Sequence, residues 1–308
     1  MSFWNSFKIL ITRFGYVGRV AIYLFVALVI IGGISAAVLI PVGIEIFHSE
    51  TIVIEYGYFN EALRGGNVAE IFREARELSR YFFDEVINSV GSIISLAFFA
   101  FVVMGILARY LLGLYELPLA EVLDTYLTTG AKTSFAGRLV ASIGRSSKLV
   151  LYKSIFLLLY DILMAAIVFA TLNLFRIQNS VVDIITPFFA MVVLICMLAF
   201  RSVLTTSWTP LVVIDKMKPL EALFAGVKVG FGNFGRLFSV YLVTWLIVVV
   251  INYIAAVNAF GVGLILTIPI SVVFLKILSL VFFYNRTNRR YYVDGEIFTP
   301  LGASISEE

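Results

Sequence analysis

One cysteine and one histidine in 308 residues remove most of the chemistry that needs those side chains in sets. Cys196 has no second thiol with which to close an intramolecular disulfide, and His48 cannot supply a multi-histidine metal site. Charge is scarce too: charged residues make up 14% of the chain, and 23 Lys and Arg against 20 Asp and Glu leave a formal charge of +3. That balance is too small to imply nucleic-acid binding, and no nucleic-acid partner is expected. Hydrophobic residues fill the space, at 61% of the chain and a mean hydropathy of +0.99, which excludes an ordinary soluble domain. The expected fold is all-α, a polytopic membrane protein forming a single membrane domain over residues 1–308.

A bilayer core of about 30 Å requires about 20 apolar helical residues. Six such runs occur, near Val17–Phe47, Val90–Leu114, Ser154–Phe175, Ile184–Leu204, Leu237–Val257 and Val262–Tyr284. The first is long enough to tilt, Pro41 offers a reason for a kink, and its length marks it as a span rather than a signal peptide. Lys and Arg near span ends are retained in the cytoplasm. Seventeen of them, from Lys8, Arg13 and Arg19 through to Arg286, Arg289 and Arg290, fall on one side of the six runs. The other side holds Arg64, Arg73, Arg76 and Arg80 in a long loop with nine carboxylates from Glu45 to Glu85, and Arg176 in a short loop. This asymmetry predicts a multi-pass protein of the cell membrane with both termini cytoplasmic and segment 48–89 external.

An internal repeat is also legible. Phe14-Gly15-Tyr16-Val17-Gly18-Arg19 leads into the first span and Phe231-Gly232-Asn233-Phe234-Gly235-Arg236 into the fifth, identical at four of six positions. Gly144-Arg145, or less favourably Gly137-Arg138, holds the corresponding place before the third span. Each start goes with an apolar stripe at helical spacing: Trp4, Phe7, Ile11 and Phe14; then Leu119, Val122, Leu123, Tyr126 and Leu127; then Leu220, Leu223, Phe224, Val227, Phe231, Phe234 and Phe238. Pro118-Leu119 and Pro219-Leu220 open the last two stripes, with Glu121 and Glu221 in the first turn as suits a helix N-terminus. Three units are therefore expected, each a membrane hairpin preceded by a cytoplasmic interfacial amphipathic helix: 1–115 with the insertion 48–89, 116–208, and 209–290, followed by a cytoplasmic tail 291–308. Units that start and end on one side are parallel repeats, related by an axis along the membrane normal. Positive-inside topology alone accounts for the arginines, but less well for the glycines.

Within the insertion, Thr51–Phe59 is rich in β-branched and aromatic residues and reads as a short strand, while 67–88 reads as a helix with Ile71, Phe72, Ala75, Leu78, Phe82 and Val86 on one face. That face needs lipid, the other helices or a protein partner. The acids there alternate with arginines at helix spacing, the pattern of a solvated face rather than of a calcium loop.

Ionisable residues inside spans are costly and mark candidate sites. Asp161 lies eight residues into the third span from Lys153, and Lys276 eight residues before Tyr284 at the end of the sixth, so each sits about 12 Å from the cytoplasmic boundary. Equal depth permits a direct Asp161–Lys276 ion pair, either a neutralised packing element or part of a polar path that Asn173, Thr244 and Asn252 would line. Small residues at helical spacing, Gly32, Gly33, Ala36 and Ala37 on the first span and Gly226 with Gly230 later, permit close helix contact; the first set reads mainly as intramolecular packing, and the pair simply narrows a polar helix face. No Ser-His, paired-Asp, HExxH or metal-ligand constellation is visible, so no catalytic residue, metal or cofactor is expected.

The stretch Trp208-Thr209-Pro210-Leu211-Val212-Val213-Ile214-Asp215, followed by Pro219-Leu220-Glu221-Ala222-Leu223, Gly232-Asn233-Phe234-Gly235-Arg236 and Phe283-Tyr284-Asn285 through Tyr291-Tyr292, resembles the six-span membrane domain found beside bacterial glycerophosphodiester phosphodiesterases and in related stand-alone membrane proteins. The resemblance covers the last third of the chain and implies an α-helical bundle in a cell-envelope setting. It carries over no catalytic residues, because the hydrolase of that family is a soluble barrel with no counterpart here, and the insertion 48–89 departs from the pattern. Two functions follow: a non-enzymatic scaffold or lipid-associated subunit that engages anionic headgroups at the cytoplasmic face and a protein partner at helix 67–88, or a transporter or channel subunit with a path near Asp161 and Lys276.

Overall fold

The computed structural model describes residues 2–47, 50–66, 68–88, 90–174, 180–258 and 261–300; His48 falls outside them. The described chain is nearly all helix: α1 (Ser2–Thr12), α2 (Gly15–Phe47), α3 (Glu50–Gly65), α4 (Val68–Asn88), α5 (Val90–Phe98), a π-helical stretch (Phe99–Ala108), α6 (Arg109–Gly113), α7 (Glu116–Thr129), α8 (Phe135–Leu174), α9 (Ser180–Thr205), α10 (Trp208–Val213), α11 (Pro219–Gly232), α12 (Phe234–Asn258) and α13 (Leu264–Arg286). A two-stranded hairpin, β1 (Tyr291–Val293) with β2 (Glu296–Phe298), follows.

Six stretches are long and apolar enough to cross a membrane: Gly15–Pro41, Ile94–Thr129, Phe135–Thr171, Phe188–Val213, Phe234–Val257 and Leu264–Arg286. The protein is thus an all-α, multi-pass membrane protein. The third begins well before the apolar run that marks it in the sequence, because no proline interrupts Gly137–Lys153 and helix α8 continues unbroken for 40 residues. Its first turns contain Gly137-Arg138, whereas Gly144-Arg145 lies in its interior. By position relative to the helix start, Gly137-Arg138 is the closer counterpart of Gly18-Arg19 and Gly235-Arg236.

The chain forms two compact units, the first from Met1–Ala27, Tyr110–Phe156 and Ile195–Glu308. Its core is α13, on which Val273, Ile277, Leu278, Leu280, Val281 and Tyr284 are buried. Helix α1 lies along α13, with the Phe3 ring edge-on to Phe274 at 5.1 Å. Helix α7 packs against α10, α13 and β1, and Leu117, Leu119, Ala120, Val122 and Leu123 are fully enclosed. Its stripe, read from the sequence as an interfacial face, is therefore part of the core, since elements distant in sequence cover it.

Helices α1 and α11 behave differently. Trp4, Phe7 and Ile11 on α1, and Phe14 in the turn after it, face outward, with Trp4 59% and Ile11 60% exposed, while Ser2, Asn5, Ser6 and Ile9 face the unit. On α11, Leu220, Phe224 and Phe231 face outward and Ala222, Leu223, Gly226 and Gly230 inward. A Cβ on Gly226 would collide with the Trp208 indole, and one on Gly230 would stand 2.5 Å from the Val203 carbonyl oxygen. These two glycines bring α11 onto α10 and the end of α9, a packing role rather than the narrowing of a polar face expected from spacing alone.

The hairpin turns through Asp294 and Gly295 with φ of 52° and 87°, the left-handed pair that an Asp-Gly sequence supplies at least cost. Tyr291 is its anchor: Asn5 Nδ2 donates to the Tyr291 hydroxyl at 2.9 Å, that hydroxyl donates to Asn285 Oδ1 at 3.1 Å, and Asn285 Nδ2 donates to Ser2 Oγ at 2.9 Å. Burial raises the Tyr291 phenol above its ordinary ionisation range, opposed by the hydrogen bonds with Asn5 and Asn285.

The second unit comprises Leu28–Arg109 and Leu157–Leu194. Helices α3 and α4 pack on each other. Thr51–Phe59, expected as a strand, is helical within α3, because intrinsic β preference is a weak term that packing against a neighbouring helix overrides. In the π-helical stretch a Cβ on Gly105 would stand 3.2 Å from the Ala100 carbonyl oxygen. On α2, Gly32, Gly33, Ala36 and Ala37 are all exposed, so among the described residues nothing packs on this small-residue face, where their spacing predicts intramolecular packing.

Candidate functional site

Four of the six span-length helices meet at one charged cluster in the first unit. Glu116 opens α7 just after Tyr115, and Lys153 on α8 donates to its Oε1 at 2.6 Å and its Oε2 at 2.7 Å. Lys276, mid-way along α13, donates to the same Oε2 at 2.9 Å and to Thr209 Oγ1 of α10 at 3.1 Å. The three ionic side chains are 14–19% exposed, so solvent contributes little to stabilising them. A carboxylate shared by two ammonium groups retains an excess positive charge, and Arg201 adds its repulsion on Lys153. The site therefore has the electrostatics of a held cation pair whose separation is set by one acid.

The expected Asp161–Lys276 pair is replaced by two separate pairings. Lys276 takes Glu116, and Asp161 takes Arg109, with Nη1 to Oδ2 at 2.8 Å inside the second unit. Equal depth along two spans fixes height but not azimuth, and azimuth decides which side chains meet. Asp161→Asn and Arg109→Met should each lower the melting temperature of the detergent-purified protein, and the double substitution should cost less than the sum of the singles. Strict additivity would show that the two side chains do not interact.

The proposed polar lining is not assembled at Lys276. Thr244 Oγ1 donates to its own helix at the Val240 carbonyl, 2.8 Å, and Asn252 ties α12 to α13, accepting from Thr267 Oγ1 at 2.8 Å and donating to Ser271 Oγ at 3.3 Å. The Asn173 side chain falls outside those described. Of the glycine–arginine motifs, Arg145 pairs with Glu121 across α7 and α8, Arg19 sits over the Tyr16 ring at 5.4 Å and Arg236 over the Phe282 ring at 5.6 Å. Gly18, Gly144 and Gly235 have open space where a Cβ would stand, so close packing is not what requires them.

Sequence reading missed Glu116 because it adjoins a span end, where a carboxylate reads as solvated; the signal available was an acid one turn ahead of the apolar α7 stripe with two lysines inside later spans. It also missed the α13 core, since every span looks alike by hydropathy. Among the described residues no group of three or more His, Cys, Asp and Glu side chains is placed to hold a metal ion. No family model matches the chain, and no curated protein and no solved structure is found to be similar to it.

Proposed function

We propose that this multi-pass protein is a non-enzymatic, lipid-associated scaffold subunit of a cell-envelope system, with both termini in the cytoplasm. The observation that carries this reading is the pair of outward apolar faces on α1 and α11, which do not continue into spans of their own and end beside basic residues: Lys8, Arg13 and Arg19 around the first, Lys218, Lys228 and Arg236 around the second. Aromatic and aliphatic side chains with a cationic flank match the chemistry of a bilayer interface containing anionic lipid. The short–long helix order α1–α2, α7–α8 and α11–α12 is consistent with three repeated units, and the resemblance of the last third to an envelope membrane domain points the same way. A protein partner fits the α3–α4 pair, where Val53, Ile54, Tyr56, Tyr58 and Phe72 are exposed.

A transporter or channel subunit is the second reading, favoured by the convergence of four span-length helices on Glu116, Lys153, Thr209 and Lys276. Reconstitution into liposomes loaded with a pH-sensitive dye, under imposed ion gradients, separates the two. The scaffold reading expects no flux above empty liposomes and co-purification of anionic phospholipid by native mass spectrometry. A flux that Lys276→Met abolishes would overturn it in favour of a conducting path.

A further inference from the structure

Apart from the charged cluster, the first unit contains a second polar site, at which three buried polar atoms lack a hydrogen-bond partner among the described residues. Arg13 lies in the turn between α1 and α2, next in the chain to Phe14, the last residue of the outward face that Trp4, Phe7 and Ile11 begin. Its guanidinium carbon stands 3.8 Å from the centroid of the Tyr126 ring, and Nη2 donates to the Gly130 carbonyl at 3.1 Å. One turn on, the Tyr16 hydroxyl reaches the Thr133 carbonyl at 3.5 Å, which draws the 130–133 loop over the same place. Within this group Arg13 Nε, the Tyr126 hydroxyl and Thr133 Oγ1 are all buried and have no hydrogen-bond partner among the described residues. Tyr126 as a residue is 1% exposed.

Leaving one such group unbonded is costly, and three of them, one on Arg13 and two on the segments that Arg13 and Tyr16 contact, form a pattern that packing does not account for. Among the described residues no carboxylate lies within ion-pair distance of Arg13. On α7, Glu116, Glu121 and Asp124 are engaged by Lys153 and Lys276, by Arg145 and by the Tyr284 hydroxyl, and at the hairpin turn Asp294 is engaged by Thr12. A guanidinium N–H can only donate, and the two hydroxyls are free to donate, so the complementary ligand is an acceptor with several oxygens and negative charge. A phosphate oxyanion has that geometry and charge. Phe14, the residue after Arg13, is exposed and continues the outward apolar face of α1, which supplies the second half of an amphiphile's requirements, an apolar surface for acyl chains near a site for its headgroup.

The geometry points to a specific binding site for the phosphate of an anionic phospholipid, formed by Arg13, Tyr126 and Thr133. This inference rests on the lipid-associated reading above and narrows it from a general interfacial attraction to one headgroup site. The same oxygens occur on free phosphate, so the test separates the two sources.

The full-length protein, purified and delipidated in a non-ionic detergent, is titrated with phosphatidylglycerol, with phosphatidylcholine, and with inorganic phosphate, and its melting temperature is followed. Phosphatidylglycerol should raise it saturably, the other two much less. Tyr126→Phe and Thr133→Val remove only a hydroxyl or exchange it for a methyl, so without lipid they should melt at or slightly above the parent temperature. With lipid, each should need about tenfold more phosphatidylglycerol for half the shift, and Arg13→Gln more still. An undiminished lipid shift in all three variants would overturn the site while leaving lipid association of the protein intact. An equal response to inorganic phosphate would overturn the lipid assignment. A parent protein that no lipid stabilises would count against the site and against lipid association together, and the flux assay then decides the function.

Discussion

Replacing Glu116 with Gln is expected to destabilise the protein by about 3–5 kcal/mol, the usual cost of removing one partner from a buried ion pair. The neutral amide leaves Lys153 and Lys276 facing each other in a site that is mostly closed to solvent, with one hydrogen-bond acceptor in place of a carboxylate. Lys276→Met should cost less, because Lys153 still contacts both oxygens of Glu116 and neutralises it. The double variant Glu116→Gln with Lys276→Met should fall short of the sum of its singles, since the second change removes one of the two ammonium groups left without a counter-charge. Thermal unfolding in detergent at fixed ionic strength measures all three. If Glu116→Gln proved no worse than Lys276→Met, the carboxylate would not be the centre of the cluster.

The second large effect has opposite signs at two glycines. Gly230→Ala places a methyl 2.5 Å from the Val203 carbonyl oxygen, a backbone atom that moves only if α9 and α11 separate. Overpacking of this kind costs about 1–3 kcal/mol, more than the gain of up to about 1 kcal/mol that alanine brings to a helix. Gly18→Ala has open space around its Cβ and a helical backbone, so only the gain remains and the melting temperature should rise. Equal responses at the two positions would mean that α11 does not approach the end of α9 as closely as described. A bulkier Gly226→Leu should resemble Gly230→Ala, because the Trp208 indole it meets is itself fully buried.

Both sites show where sequence reasoning reached its limit. Lys276 and Asp161 stand out because charge in an apolar helix is rare and expensive, and both are indeed ion-paired; the error lies in pairing them with each other. Glu116, at the margin of a span, gives no such signal. Arg13 reads in the sequence as one of seventeen cytoplasmic cations, and only its stacking on Tyr126 and the unpartnered donors around it set it apart. The stripe on α1 remains outward, that on α11 is divided, with Leu220, Phe224 and Phe231 outward and Leu223 buried, and that on α7 is enclosed, although their periodicities are alike. Periodicity identifies a face, whereas its covering depends on segments far along the chain.

The sequence by itself determined the all-α class and the six span-length helices, because length and apolar content are properties of a continuous segment and a bilayer-crossing helix satisfies its backbone hydrogen bonds internally. The Asp294-Gly295 turn is equally local in its requirement for a left-handed backbone, although 291–308 reads in the sequence only as a tail. Only the tertiary structure decided that α13 is the core of the first unit, that Thr51–Phe59 is helical, that Glu116 holds two lysines and that Gly226 and Gly230 seat α11. The helical state of Thr51–Phe59 reflects packing that outweighs a weak local preference, and the others depend on the rotation of one helix about its axis relative to another, a quantity set by the packing of distant residues and left nearly free by hydropathy.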